Sequence, residues 1–319
     1  MKLNINKGAY PTMITPYNEN GKVDYGAVKA LTEWYWEKGC DGIFASCQSS
    51  EILFLSLEDR VKLAKTVSDT AIALAAKNPE RKKMSVVASG HVSDDFDEQC
   101  AELNAIAETG VDAVVLISNR SDIENTSDEK WIADTEAILA ALPAETMVGT
   151  YECPRPYKRL LTEKMTKWIA ESGRFAFIKD TCCDADEIAK RLRILDGSGV
   201  GLFNANGQTC LESLKSGGDG YCGIMCNFHP ELYVWLCHNF KKYPEMAQKV
   251  QAALSMCAFT ENPVYPVTAK YHLSHHEGIP MSLYARSADR RTLTNYYKLC
   301  VDQMKLITDE IKENIKNLK

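Results

Sequence analysis

The stretch Gly8-Ala9-Tyr10-Pro11-Thr12-Met13-Ile14-Thr15-Pro16-Tyr17-Asn18-Glu19-Asn20-Gly21 decides between two folds. Its apolar run, Tyr10–Thr15, has the length of a strand buried on both faces, and a helical pattern, Tyr25–Lys38, follows after a short turn. An open doubly wound sheet would need a glycine-rich G-x-G-x-x-G turn at this point to cradle a dinucleotide. The turn reads Pro16-Tyr17-Asn18-Glu19-Asn20-Gly21, which cannot serve that purpose. A closed barrel is the better architecture.

Working outward, seven more apolar runs follow: Gly42–Ser46, Met84–Ser89, Ala113–Ser118, Met147–Tyr151, Phe175–Lys179, Gly201–Asn204 and Tyr221–Cys226. Between them lie the helical patterns Leu57–Ala76, Asp94–Thr109, Ser127–Leu142, Thr162–Glu171, Ala185–Leu195 and Thr209–Ser216. Strand-length runs alternating with helices at roughly 30-residue spacing predict an α/β fold, a (β/α)₈ TIM barrel. Gly39, Gly110, Gly173 and Gly217 stand where helix C-caps are expected, and Ser127 precedes the acidic turn Asp128-Glu129, an N-terminal signature. From Pro230 the pattern is helical only, through Glu231–Phe240, Glu245–Phe259, Ala269–His275 and Thr292–Lys316. The expected organisation is a barrel over 1–229 and a C-terminal helical extension of about three helices over 230–319, forming one structural unit.

The chain has 319 residues, 45% hydrophobic and 25% charged, with a net charge of −6, which suits a folded enzyme and excludes a large nucleic-acid footprint. No apolar run is long enough to span a bilayer, so neither nucleic acid nor membrane is an expected partner. The start, MKLNINKGAYPTMITP, lacks the basic head and apolar core of a signal peptide. Twelve dispersed cysteines, several inside apolar segments (Cys222, Cys226, Cys237), read as free thiols in a reducing cytoplasm.

In such a barrel the chemistry sits at the C-terminal ends of the strands. Two ends stand out: Lys179 closes Phe175-Ala176-Phe177-Ile178-Lys179, and Tyr151 closes Met147-Val148-Gly149-Thr150-Tyr151. An ammonium beside a packed barrel is costly to keep charged, and the neutral amine can attack a ketone to give a Schiff base. A tyrosine hydroxyl on the neighbouring strand could then carry protons. The competing reading makes Lys179 a solvated strand end paired with Asp180.

Lys179 in I-K-D, Tyr151 in Y-E-C-P, 28 residues earlier, and the opening G-A-Y-P-T-M-I-T-P-Y together resemble the dihydrodipicolinate synthase and N-acetylneuraminate lyase family. The likeness runs from about Gly8 to Pro230 and weakly on through Asn262-Pro263-Val264-Tyr265-Pro266. It implies a class I aldolase or synthase acting on pyruvate or a related 2-keto acid, with an aldehyde or sugar acid as the other small-molecule partner. It implies no cofactor beyond the covalent imine, no metal, and a homotetramer or homodimer.

Carried over by position, Lys179 resembles the Schiff-base lysine and Tyr151 the proton-transfer tyrosine. The family's G-T-T-G-E loop falls on Cys47-Gln48-Ser49-Ser50-Glu51, where Ser49 matches the threonine that holds the keto-acid carboxylate and Gln48 replaces a relay threonine. G-x-x-G-x-I-S falls on Gly217–Gly223 and puts the Cys222 backbone near substrate. S-G-D-D becomes Asn204-Ala205-Asn206-Gly207, with Ala205 expected against substrate.

Departures concentrate at the second substrate. The P-Y-Y after the fourth strand is Asn119-Arg120-Ser121, which lacks the tyrosine that reaches a neighbouring subunit; Gln48, Ser121 and Tyr157 are candidate replacements. The aldehyde-recognising arginine position is Pro156, with Arg155 one residue earlier. A dehydratase or decarboxylase using the same imine, or a keto-acid-binding barrel without turnover, are the alternatives. His272-x-x-His275-His276 lacks a completing ligand and reads as exposed helix histidines, while His91 could line the site or make a structural hydrogen bond.

Overall fold

The computed structural model describes residues 5–318; Met1–Asn4 and Lys319, the ends of the two expected segments, lie outside the described residues. The strands are β1 (Gly8–Pro11), β2 (Gly42–Phe44), β3 (Ser85–Ala88), β4 (Ala113–Ile117), β5 (Val148–Tyr151), β6 (Phe175–Asp180), β7 (Gly201–Asn204) and β8 (Gly220–Gly223). All pair in parallel, in the order β1-β8-β7-β6-β5-β4-β3-β2. The seam between β1 and β2 is closed by a Thr12–Phe44 bridge and by the N–H of Met13 donating to Phe44 O at 3.0 Å. The result is the expected (β/α)₈ barrel.

The strands are almost wholly buried because side chains alternate between two packed layers. Inward, Tyr10, Phe44, Val87, Val115, Phe177 and Phe203 fill the barrel, with Phe177 and Phe203 stacked at 4.8 Å. Outward, residues such as Ile43, Val86, Val114 and Ile178 pack beneath the helices. At the β1–β8 contact, glycine is required by space: a Cβ on Gly220 would lie 1.9 Å from Gly8 O.

Six helices of the ring are α1 (Tyr25–Glu37), α2 (Leu57–Lys77), α3 (Phe96–Ala107), α4 (Asp128–Ala141), α5 (Glu163–Glu171) and α6 (Ala185–Leu195). Each opens on a side-chain cap, Asp24, Ser56, Asp95, Ser127, Thr162 and Asp184 in turn, accepting a first-turn N–H. The caps follow the strand ends, so the positive helix termini converge on the C-terminal face of the barrel. α7 (Cys210–Lys215) and α8 (Pro230–Asn239) complete the ring, α8 packing on β1 and β8. The extension proper is α9 (Pro244–Glu261), α10 (Val267–His276) and α11 (Asn295–Lys316). The four expected C-cap glycines all have left-handed φ, from +66° at Gly173 to +101° at Gly217.

Several strands are shorter than their apolar runs, and β1 and β8 fall furthest short of the C-terminal ends of theirs. β1 stops at Pro11 and β8 at Gly223, where Ile224–Asn227 turns as a 3₁₀ helix. The residues beyond both strands, Met13, Ile14, Met225 and Cys226, stay buried, so burial outlasts the ladder.

Candidate active site

A cavity of about 620 Å³ opens at the C-terminal face, lined by strand ends and loops of that face and by the extension. Lys179 and Tyr151 are direct partners in the β5–β6 register and both face it. Lys179 is 4% exposed, its Nζ lying 4.0 Å from the Tyr151 ring centroid and 5.4 Å from that of Phe44. The amine therefore rests on aromatic faces with its tip at the cavity. Burial pushes the Tyr151 phenol well above its ordinary range, with Cys153 and Cys47 adding to the effect. It stays a protonated hydroxyl, able to donate and accept. Its Oη approaches Gln48 Oε1 at 3.4 Å, a long contact.

The next residue on each strand points outward, and there the structure places a buried ion cluster. Arg191 of α6 donates to Glu152 Oε1 at 2.7 Å and also to Asp180 Oδ2. Glu152 accepts the backbone N–H groups of Leu161 and Thr181, each at 2.7 Å. Burial, then the Asp180 carboxylate, raises Glu152 above the usual carboxylate range. One guanidinium thus locks the backbone directly behind Tyr151 and Lys179. Asp180 pairs with Arg191, not Lys179, which removes the solvated strand-end reading of that lysine.

After β2, Gln48–Ser50 forms a 3₁₀ turn and Glu51 adopts a left-handed φ of +62°. Ser49 lines the cavity and its Oγ donates to Thr12 Oγ1 at 3.1 Å. Ser50 pins the turn from below, its Oγ contacting Met13 O at 2.6 Å and Ala45 O at 3.0 Å. Tyr265, between α9 and α10, also lines the cavity and takes the Asn227 amide at 3.2 Å.

Of the six site residues expected from sequence, Lys179, Tyr151, Ser49, Gln48 and Ala205 line one cavity. Cys222, expected near substrate by its backbone, is not itself in the lining; its side chain is in the packed barrel interior, and the adjacent Gly223 forms the wall at that strand. Among the candidate replacements for the missing tyrosine, Gln48 alone is in the lining. Ser121 is buried against Thr135 Oγ1 at 2.9 Å, and the Tyr157 hydroxyl donates to Ile123 O at 2.8 Å. Asn119, standing in the altered segment, instead braces the loop after β5 through Cys153 O and Arg155 O, both at 3.0 Å.

His91 makes a structural hydrogen bond: its Nε2 accepts the Ile117 N–H at 2.6 Å and its Nδ1 meets Gln99 Oε1 at 3.0 Å. Burial lowers it to about 4. The three clustered histidines depart from the expectation of exposed residues without a further ligand: His272 is buried, and Asp302 of α11, distant in sequence, approaches both His275 and His276; none lines the cavity.

The extension contributes to the wall to an extent that the residue pattern did not signal. Ser287, Asn262 and Phe259 form part of the wall, and only the Asn262–Pro266 motif hinted at it.

A family model described as the Dihydrodipicolinate synthetase family matches residues 6–287. The chain belongs to this family. Its members are class I aldolases and synthases that act through a lysine Schiff base, with no metal or other cofactor. The 4-hydroxy-tetrahydrodipicolinate synthase of Coxiella burnetii is 24% identical over 285 residues, covering 86% of this chain and 90% of that one. The N-acetylneuraminate lyase of Mediterraneibacter gnavus is 28% identical over 250 residues, covering 77% and 74%. Among solved structures, wild-type Ruminococcus gnavus sialic acid aldolase superposes with a TM-score of 0.82 at 19% identity, covering 97% and 98% of the two chains, a likeness of fold. This family member is therefore a pyruvate-dependent, Schiff-base aldolase or synthase.

Proposed function

We propose that Lys179 is the imine-forming residue and that this chain makes or breaks a carbon–carbon bond next to pyruvate or a related 2-keto acid, with an aldehyde or sugar acid as the other partner. The observation that carries this is the register pairing of Lys179 with Tyr151, amine against ring, at the mouth of one cavity. The Lys179 amine adds to the C2 carbonyl and water leaves as the imine forms. The protonated imine takes up the electron pair released when the bond to the second partner breaks, giving an enamine. Tyr151, kept protonated by burial, hands protons between the leaving oxygen and the nitrogen. Ser49 and the turn amides hold the carboxylate, assisted by helix N-termini converging on that face.

Recognition of the second partner rests on different groups from those the resemblance implied. Exposed Arg155 and Lys158 line the cavity mouth with Asn206 and Gln208, while position 156 is proline.

Two broader parts of the proposal are cytoplasmic residence and assembly into a homotetramer or homodimer. All twelve cysteines are unpaired, which supports a reducing compartment, and no helix among the described residues is long and apolar enough to cross a membrane. Exposed Tyr296, Leu299, Leu306 and Ile307 on α11 support burial between copies.

Turnover of an aldehyde and sugar-acid panel, read as pyruvate consumed or released, tests the chemistry. Lys179→Ala should lower the rate at least about 10³-fold while leaving the melting curve cooperative. A folded Lys179→Ala protein that retains wild-type turnover would contradict the assignment.

A further inference from the structure

A second lysine is buried close to this site. Lys270, on α10, has no exposed surface, and its Nζ donates to Thr15 O at 2.8 Å and to Tyr284 O. It lies 4.3 Å from the Tyr17 ring centroid and 3.9 Å from Glu51 Oε2. Glu51 is 3% exposed and belongs to the turn that carries Ser49. Its Oε1 accepts the N–H groups of Arg286 at 2.7 Å and Ser287 at 2.5 Å, whereas Oε2 has no hydrogen-bond donor. The ammonium of Lys270 is thus the nearby charge that answers a buried carboxylate.

The contacts converge on the short turn Gln48–Ser50. Thr15, whose carbonyl Lys270 holds, donates its own hydroxyl to Ser50 O at 2.6 Å. Glu51 keeps a left-handed backbone that a non-glycine residue adopts only when its surroundings impose it. Ser287, tied to Glu51, lines the cavity itself. One buried amine therefore joins the loop after β1, the turn and the C-terminal extension.

We propose that Lys270 is a positioning residue for keto-acid capture: through Glu51 and Thr15 it holds the Ser49 turn in the geometry that receives the substrate carboxylate. This rests on the proposed function, because it presumes that Ser49 and its neighbours meet that carboxylate. Lys270 touches no reacting atom. Burial lowers its amine to about 7, partly offset by Glu51, and Arg286 pushes in the same direction as burial. Carrying a charge at this position is therefore costly.

The test uses pyruvate as the probe and needs no second substrate. Borohydride inactivation is followed at increasing pyruvate concentration, with peptide mapping to confirm the adduct, for wild type, Lys270→Met, Lys270→Arg and the double variant Glu51→Gln/Lys270→Met. Lys270→Met should raise the half-saturating pyruvate concentration about tenfold and leave the maximal trapping rate within about twofold. Lys270→Arg should recover part of the loss. The double variant, which removes the uncompensated carboxylate, should remain folded and keep the raised half-saturation. Amide exchange in peptides covering 47–51 should accelerate in both Met variants. A folded Lys270→Met or double variant with wild-type half-saturation overturns this proposal alone. Wild-type protein that gives no adduct on Lys179 overturns the imine reading, and this proposal with it.

Discussion

Lys179 and Tyr151 show how one contact can be set by sequence spacing alone. Each closes an apolar run, so each falls at a strand end, and parallel pairing brings the two ends into register. Tyr151→Phe should lower kcat about 10²- to 10³-fold with little change in KM, since the ring still supports the amine while the hydroxyl is lost; an unchanged kcat would remove the tyrosine from the proton path. Other residues needed coordinates. Cys222 was expected near substrate by its backbone alone; its side chain turns into the barrel, and the adjacent Gly223 lines the cavity. His91 is held neutral, with one ring nitrogen accepting and the other aimed at an amide oxygen, and burial lowers it to about 4. Because its folded-state value lies below the unfolded value of about 6.5, the unfolded chain binds the extra proton first as pH falls, and stability drops between about 6.5 and 4. His229 and His272, both lowered to about 3 by burial, act in the same sense. Glu152 and Glu261, raised by burial, act in the opposite sense as pH falls. Replacing His91 with glutamine should remove about 1.4 kcal/mol of stability loss per pH unit in that window, measured as urea unfolding at pH 6.5 and 5.0. A parallel pH dependence in wild type and variant would contradict this.

The strands and helices were legible because their periodicities differ and their caps are explicit, from Asp24 to Asp184. Boundaries failed where burial continues past hydrogen bonding. Met13 and Ile14 after β1, and Met225 and Cys226 after β8, are as apolar as strand residues but lie in the closing loops. The Glu152–Asp180–Arg191 cluster was also hidden, since nothing in a one-dimensional pattern links an arginine on α6 to carboxylates just past β5 and at the end of β6. It has a clear energetic consequence. Arg191→Met would leave two nearby carboxylates buried without their cation, and should cost about 3–5 kcal/mol in chemical denaturation. A loss below about 1 kcal/mol would show that the cluster does not hold β5 and β6 in place.

Taken together, the barrel brings capped helix ends, a lysine, a tyrosine and a serine-bearing turn to one face, and the extension adds a wall. In the proposed function the keto-acid end of the cavity is the one built on Lys179, Tyr151 and Ser49, which share its lining. The proposed second-substrate end has Arg155, Lys158, Asn206 and Gln208 at the mouth, and Asn119 is used for bracing. On that proposal the reaction class was readable and the second partner was not, because the chemistry sits on two strand ends whereas recognition falls to loops. In solution, the native mass should be that of two or four chains, with Leu299→Lys/Ile307→Lys shifting it downward; a wild-type monomer would contradict the oligomeric part of the proposal. The central claim is imine formation at Lys179, and it is tested most directly by borohydride reduction in the presence of pyruvate, followed by intact mass and peptide mapping. A single reduced-pyruvate adduct on the peptide containing Lys179 is the expected result. No adduct, or an adduct on a different lysine, would contradict the mechanism.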